Sequence, residues 1–302
     1  MSSVKLALNP YGLAAHYADP SVVARLAQLG ESAGFDQFVL TDHVAMSVGS
    51  DQYPYGPWPT PLDFPWWEPM TTLAVVAGAT HSIGLTTGVL ISPLRSAVLL
   101  AKQAATLDQL SGGRFELGIG VGWQEAEFVA SGVPFATRKA YFVEHLRVMK
   151  LLWQEPCVTF RGDFIDLDRI YSSPHPQQAK GIPVSVGVAP TPSNLSWLVE
   201  LADGYLPIED DPEVYAPHFA WVRQALFDAG RDPEGFIFRV RLRTLNDATG
   251  QPGIRETFQQ LPRLEELGAT AAEFYPFMFL RGNSPHELED VIAECGQLMR
   301  ED

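Results

Sequence analysis

Cysteine is scarce in this chain of 302 residues, which has only Cys157 and Cys295. The two share no local motif, so neither a disulfide framework nor a zinc site follows, and two buried free thiols are expected. The seven histidines include no His-Glu-x-x-His pattern, which removes a helix-borne zinc site, and no metal is expected. Basic residues are also few, 21 against 36 acidic, for a formal net charge of −15. Nucleic acid and anionic membrane both require a positive field, so this balance disfavours them and leaves a small molecule as the expected ligand. Long apolar runs are missing as well. Leu73–Ala79 and Val98–Ala101 fall far short of the roughly 20 residues that span a bilayer. Met1–Lys5 leads straight into a strand-like run with no secretory pattern before it, so a cytoplasmic protein is expected.

What is present is a strand followed by a helix, over and over. Strands are predicted at Val4–Asn9, Gln37–Leu40, Ile83–Leu90, Arg114–Ile119, Pro183–Gly187, Gly204–Leu206, Phe236–Leu242 and Ala271–Tyr275. Between them, Asp19-Pro20 reads as the cap and first residue of a helix that ends at Gly34. Further helices are predicted over Ser96–Leu110, Arg138–Trp153, Pro192–Ala202, from Asp211-Pro212, and over Ile254–Leu267. The last helix opens at Ser284 with capping-box spacing to Glu287. Eight such units in one uninterrupted chain predict a single α/β domain over 1–302, a (β/α)8 TIM barrel, with a doubly wound sheet as the alternative.

Two segments exceed ordinary loop lengths. Val44–Glu68 carries Tyr53, Tyr55, Trp58, Phe64, Trp66 and Trp67 with five prolines. It follows the second strand, which in a barrel puts it on the catalytic face as a substrate-pocket wall or as a stiff self-packed loop. Gln154–Ile182 joins a helix to the fifth strand, so it is expected on the opposite face. Within it Val158–Arg161 and Phe164–Leu167 predict a hairpin around Gly162-Asp163.

Barrel chemistry sits at strand C-termini. The second strand ends in Thr41-Asp42-His43, where a histidine beside a carboxylate can act as acid or base or can merely bond the strand end. The fourth ends in Gly118-Ile119-Gly120-Val121-Gly122-Trp123, whose alternate glycines let a ligand approach the backbone. Its third glycine comes one residue too early for a dinucleotide fingerprint. The fifth ends in Ser185-Val186-Gly187-Val188-Ala189-Pro190, and Thr191 stands before a helix, a weak anion site. Arg95, Arg138 and Lys139 are candidate cations for an anionic cofactor group, or solvated side chains.

These motifs together resemble the luciferase-like monooxygenase superfamily over nearly the whole chain. The match is strongest in Gly34-Phe35-Asp36 with Thr41-Asp42-His43, Glu68–Ala74, Thr87–Leu90, and Leu100–Arg114 followed by Gly118–Trp123. Tyr53–Tyr55 and Gly122-Trp123 are most similar to members that use the deazaflavin coenzyme F-420, whereas other relatives use FMN. The resemblance implies a flavin-like ring over the barrel mouth and a peptide, often cis, at Gly88-Val89. It implies deazaflavin contacts from Asp42 and His43, with proton transfer at His43, and phosphate or tail contacts from Val121, Gly122, Trp123 and Gly187–Ala189. It also implies a homodimer. The fifth strand departs from the family's usual Gly-Gly ending, which bears on the phosphate contact. The function expected is F-420-dependent hydride transfer to or from a small apolar or aromatic substrate. The alternatives are a reduced-FMN monooxygenase fed by a separate reductase and a flavin-binding protein without turnover.

Overall fold

Alternation within the strands decides which side chains enter the barrel. Phe115-Glu116-Leu117-Gly118-Ile119-Gly120 and Phe238-Arg239-Val240-Arg241 alternate large apolar residues with polar or minimal ones. A period of two puts the first set outward against helices and the second set inward. The computed structural model describes residues 3–12, 17, 19–48, 53–54, 56–58, 60–282 and 286–301. Its strands are β1 (Lys5–Leu8), β2 (Gln37–Leu40), β3 (Gly84–Thr87), β4 (Leu90–Ile91), β5 (Phe115–Gly120), β6 (Val158–Arg161), β7 (Asp166–Ile170), β8 (Val184–Val186), β9 (Gly204–Tyr205), β10 (Ile237–Arg241) and β11 (Ala271–Phe274). Its helices are α1 (Val22–Ala33), α2 (Pro69–Ala79), α3 (Ala97–Ser111), α4 (Glu125–Ala130), α5 (Arg138–Gln154), α6 (Leu195–Leu201), α7 (Pro212–Asp228), α8 (Ile254–Phe258), α9 (Leu261–Glu266) and α10 (Glu287–Glu301).

The parallel order β3-β2-β1-β11-β10-β9-β8-β5-β4 closes through pairing of β3 with β5. With β3 and β4 as one interrupted stave, this is the eight-stave barrel the alternation predicts, and the doubly wound alternative is excluded. The apolar core lies between staves and helices, with Leu8, Phe38, Leu85, Leu117, Val184, Phe238 and Phe274 fully buried.

Several boundaries differ from expectation. The third strand is broken at Gly88-Val89, whose peptide is cis. Asp19 does not cap α1. Its carboxylate accepts from Ser21 N and Ser21 Oγ (2.9 and 2.7 Å), closing a local turn before the helix begins. The span Ile254–Leu267 is two helices, since Pro262 supplies no N–H to continue the first and sits in the opening turn of the second. Helices α2 and α4 escape periodicity: the first has no charged face, and the second is six residues long. The expected start of α10 at Ser284 lies outside the described residues.

The hairpin's second strand starts at Asp166 rather than Phe164 because Glu144 of α5 captures the turn. Its carboxylate accepts from the N–H groups of Asp163, Phe164 and Ile165 (2.8, 2.9 and 2.6 Å). The insertion therefore does not stay on the far face. It is anchored there by His175 Nδ1 on Trp153 O (2.9 Å), and its tip climbs α5 to Glu144 and Tyr141. Cys157 and Cys295 are free thiols, but only Cys295 is buried, Cys157 being half-buried. Among the described residues no helix is long and apolar enough to cross a membrane, and no cluster of His, Cys, Asp and Glu is placed to hold a metal ion.

Candidate active site

The lumen of the barrel is polar. Gln37, Glu116, Ser185, Arg239 and Glu273 point inward, and Arg239 spans them. Its Nη1 donates to Thr86 Oγ1 and its Nη2 to Thr87 O (both 2.9 Å). Its Nε lies 3.0 Å from Glu273 Oε1, out of line for a hydrogen bond but close enough for an ion pair. Glu116 accepts from Ser185 Oγ and Gln37 Nε2 (2.8 Å each). Glu273 accepts from Asn9 Nδ2 (3.0 Å) and Tyr275 Oη (2.7 Å). Burial first, then the neighbouring Glu273 charge, holds the Tyr275 phenol well above its ordinary pKa, so it stays a donor. Buried charges survive here because each carboxylate meets several donors.

Above this layer three glycines make a floor. A Cβ on Gly120 would lie 2.7 Å from Val89 Cγ2, and one on Gly187 would lie 3.1 Å from Val89 Cγ1. A Cβ on Gly88 would meet Val39 Cγ1 at 2.7 Å and Glu273 Oε1 at 3.0 Å. The Val89 side chain therefore occupies space that only glycine leaves at the ends of β5 and β8. Gly122 has φ +74° and a Cβ there would meet Ile91 and Phe128 at 2.7 Å, so this turn too requires glycine. Val121 and Val188 are half-buried and pack on the core, whereas Ala189 is exposed.

Asp42 and His43, adjacent on the chain, face different partners. Asp42 is buried and engages Arg95 in a two-pronged ion pair (Nη1–Oδ2 2.7 Å, Nη2–Oδ1 3.0 Å) and also accepts from Ile91 N (2.9 Å). Arg95 Nη2 also reaches Glu68 Oε1 (2.9 Å), so this cation is committed to the protein. The carboxylate beside His43 is Glu127, from α4. Its Oε2 is 3.1 Å from His43 Nδ1, and its Oε1 accepts from Val44 N (2.6 Å) and Ala45 N (3.3 Å). Glu127 is 1% exposed. A carboxylate that already accepts two backbone N–H groups accepts the Nδ1 proton too, which leaves His43 Nε2 on the opposite ring edge.

The imidazole ring lies in an aromatic roof. His43 contacts Trp58 (5.3 Å), Trp66 (5.0 Å) and Trp123 (6.1 Å) edge-on, and Tyr53 packs on Trp58 and Trp123 (5.1 Å each). Phe64 and Trp66 extend the roof to Tyr11 after β1, and Tyr11 reaches Phe277 after β11. The described part of the loop after β2 thus lies across the mouth. Trp67 packs on the core, and Tyr55 lies outside the described residues. The indole N–H groups of Trp58 and Trp66 are buried without a partner among the described residues.

The remaining candidates lie at the rim. Arg138 stacks on Phe135 (3.6 Å) and donates to Gly122 O and Phe135 O (3.1 Å each), so it supports the Gly122 turn. Lys139 is exposed. Thr191 N donates to Asn194 Oδ1 (2.7 Å), and Thr191 Oγ1 lies 3.0 Å from Ser193 Oγ, which leaves hydroxyls rather than that amide to meet a ligand. Glu127, Glu116, Glu273, Arg239 and Arg241 were not singled out from sequence. For the four strand residues among them the signal available was charge at alternate positions of otherwise apolar strands.

Residues 5–272 match the family model for luciferase-like monooxygenase, so the chain belongs to that family and is an oxidoreductase. An uncharacterized protein of Mycobacterium tuberculosis is 31% identical over 274 residues, covering 87% of this chain and 90% of its own. Among solved structures, the monooxygenase RslO1 from Streptomyces bottropensis superposes with a TM-score of 0.78 at 19% identity, covering 99% of this chain and 98% of its own. The coenzyme F-420-dependent tetrahydromethanopterin reductase of Methanopyrus kandleri superposes with a TM-score of 0.71 at 18% identity, covering 98% and 97%. At such identities the two structures attest to the fold.

Proposed function

We propose that the protein is a coenzyme F-420-dependent oxidoreductase acting on a small apolar or aromatic organic substrate. The observation that carries this reading is His43, oriented by the buried Glu127 with its ring in the tryptophan roof. The floor fits a planar ring: Val89 lies between Gly120 and Gly187, where larger side chains would displace it. Gly88, Val89, Gly120 and Gly187 would hold the ring from below. Gly122, Trp123, Val188, Ala189 and the Thr191 hydroxyl would border the tail, with Arg138 as the cation on the Gly122 turn. When bound, a deazaflavin accepts or delivers a hydride.

The chain's own residues handle the rest. Glu127 keeps the proton on His43 Nδ1. Nε2 then takes the proton of a substrate hydroxyl as a C–H hydride departs, and returns it in the reverse direction. The roof around His43, whose side chain is 9% exposed, keeps bulk water from that nitrogen. Asp42 and Arg95 fix the strand end from which His43 projects.

Titration of the apoprotein with F-420 and with FMN tests the reading. The deazaflavin is expected to bind at least about tenfold more tightly, or about 1.4 kcal/mol. Equal or tighter FMN binding would replace it with a reduced-FMN monooxygenase.

A further inference from the structure

The seventh stave carries a second inward cation. Arg239 points into the lumen, so Arg241, two residues on, points the same way one layer nearer the mouth. It pairs in register with Glu273 of β11. Its side chain is solvent-accessible, yet protein surrounds it: its guanidinium lies 5.0 Å above the Tyr275 ring and within electrostatic range of Tyr11, Tyr53 and Asp210. Accessible and hemmed in together describe a group on the wall of a recess.

The acceptors around it are already engaged. Glu273 Oε2 accepts from Asn9 Nδ2 and Tyr275 Oη, and its Oε1 faces Arg239 in an ion pair. Asp210 lies 3.5 Å from Arg243, and Asp211 lies 3.9 Å from it. No hydrogen bond or ion pair engages Arg241 among the described residues. In a chain of net charge −15, such a guanidinium inside the mouth is unusual. Its neighbours on the recess wall are rings: Tyr11 stacks on Phe64 (5.6 Å) and meets Trp66 edge-on (5.4 Å), and Phe277 lies 5.3 Å from Tyr11. Around the closed barrel, β10 stands opposite the third stave that bears Gly88-Val89, so this cation faces the floor from across the mouth.

We propose that Arg241 is the anion-recognition group of the substrate site, binding the carboxylate of a small aromatic acid whose ring lies among Tyr11, Trp66 and Phe277. This rests on the reading of the barrel mouth as the active site and narrows its substrate class. The planar guanidinium matches a carboxylate edge-on with two N–H donors. A monoanion is favoured over a phosphate dianion because Asp210 and Glu273 stand close by and Arg241 is a single guanidinium with no ion-pair partner among the described residues.

The test needs no cofactor, so it stands apart from the choice between F-420 and FMN. Tryptophan fluorescence of the full-length protein is titrated with benzoate, benzyl alcohol and inorganic phosphate. Benzoate is expected to bind at least tenfold more tightly than benzyl alcohol, and phosphate is expected not to displace it. Arg241→Gln should equalise benzoate and benzyl alcohol, and Arg241→Lys should keep part of the preference. Arg243→Gln, at a cation already paired with Asp210 and Asp211, should leave the preference unchanged. Absence of saturable benzoate binding, equal affinities in the parent protein, or a preference that survives Arg241→Gln overturns the proposal. Displacement of benzoate by phosphate at lower concentration overturns it too, because the recess would then serve a phosphorylated ligand.

Discussion

His43 Nδ1 and Glu127 Oε2 lie 3.1 Å apart although 84 residues separate them along the chain. The histidine ends the second stave and the glutamate sits in a six-residue helix after the fourth. Because Glu127 also holds the Val44 and Ala45 N–H groups, one buried carboxylate sets both the ring's tautomer and the path of the loop that leaves the strand.

Glu127→Gln should therefore alter His43 before it alters anything else. An amide can still accept from Val44 N, but it offers the imidazole a donor as readily as an acceptor. Nitrogen-15 NMR of the parent protein is expected to show the Nδ1-protonated tautomer, with loss of that preference in the variant. Turnover should drop at least about tenfold. An unchanged His43 spectrum removes the positioning role.

His43→Asn keeps a polar side chain at the strand end but cannot move a proton. Cofactor affinity should stay within a few-fold while the single-turnover rate of hydride transfer at saturating cofactor falls by roughly 10². If affinity falls and the transfer rate holds, His43 props the ring and does no proton chemistry.

Gly120→Ala puts a Cβ 2.7 Å from Val89 Cγ2. Overfilling a packed site costs about 1–3 kcal/mol, so urea unfolding should show a loss of that size together with weaker cofactor binding. Val89→Ala in the same chain should return most of both. Additive losses in the double variant would mean that the two side chains do not compete for one space.

His145 of α5 gives a pH dependence of stability. It is fully buried, its Nε2 donates to Arg95 O (3.0 Å), and its Nδ1 has no partner among the described residues. Burial pushes its pKa down from 6.5 to about 4, against a smaller upward pull from the Arg95 carbonyl. The unfolded chain thus binds a proton that the folded one refuses. The contribution is whole above the unfolded value of 6.5 and is lost as pH falls from there towards 4, reaching about 2 kcal/mol by roughly pH 5. Chemical denaturation at pH 7.5 and 5 should show His145→Gln losing less than the parent by about that amount. Equal losses would exclude His145 as the source.

Eight strand–helix units were legible in the sequence because strand and helix periodicities are local, and they favoured a barrel over a doubly wound sheet; the pairing of β3 with β5 closed it. The sequence also determined that His43, Gly120, Gly122 and Gly187 stand at strand ends on one rim, since strand direction fixes which end faces the catalytic side. It misplaced the cap of α1, the break at Pro262 and the turn that Glu144 captures, where a side-chain hydrogen bond or a missing N–H overrode a propensity. Pairing was beyond its reach. Adjacency on the chain suggested Asp42 as the carboxylate of His43, but just past the end of β2 the two side chains meet different partners, Asp42 pairing with Arg95 and His43 with Glu127. The polar lumen and the placement of Arg241 have the same origin. Which charges neutralise one another depends on how eight staves stagger around a closed barrel, and that stagger exists only in the tertiary structure.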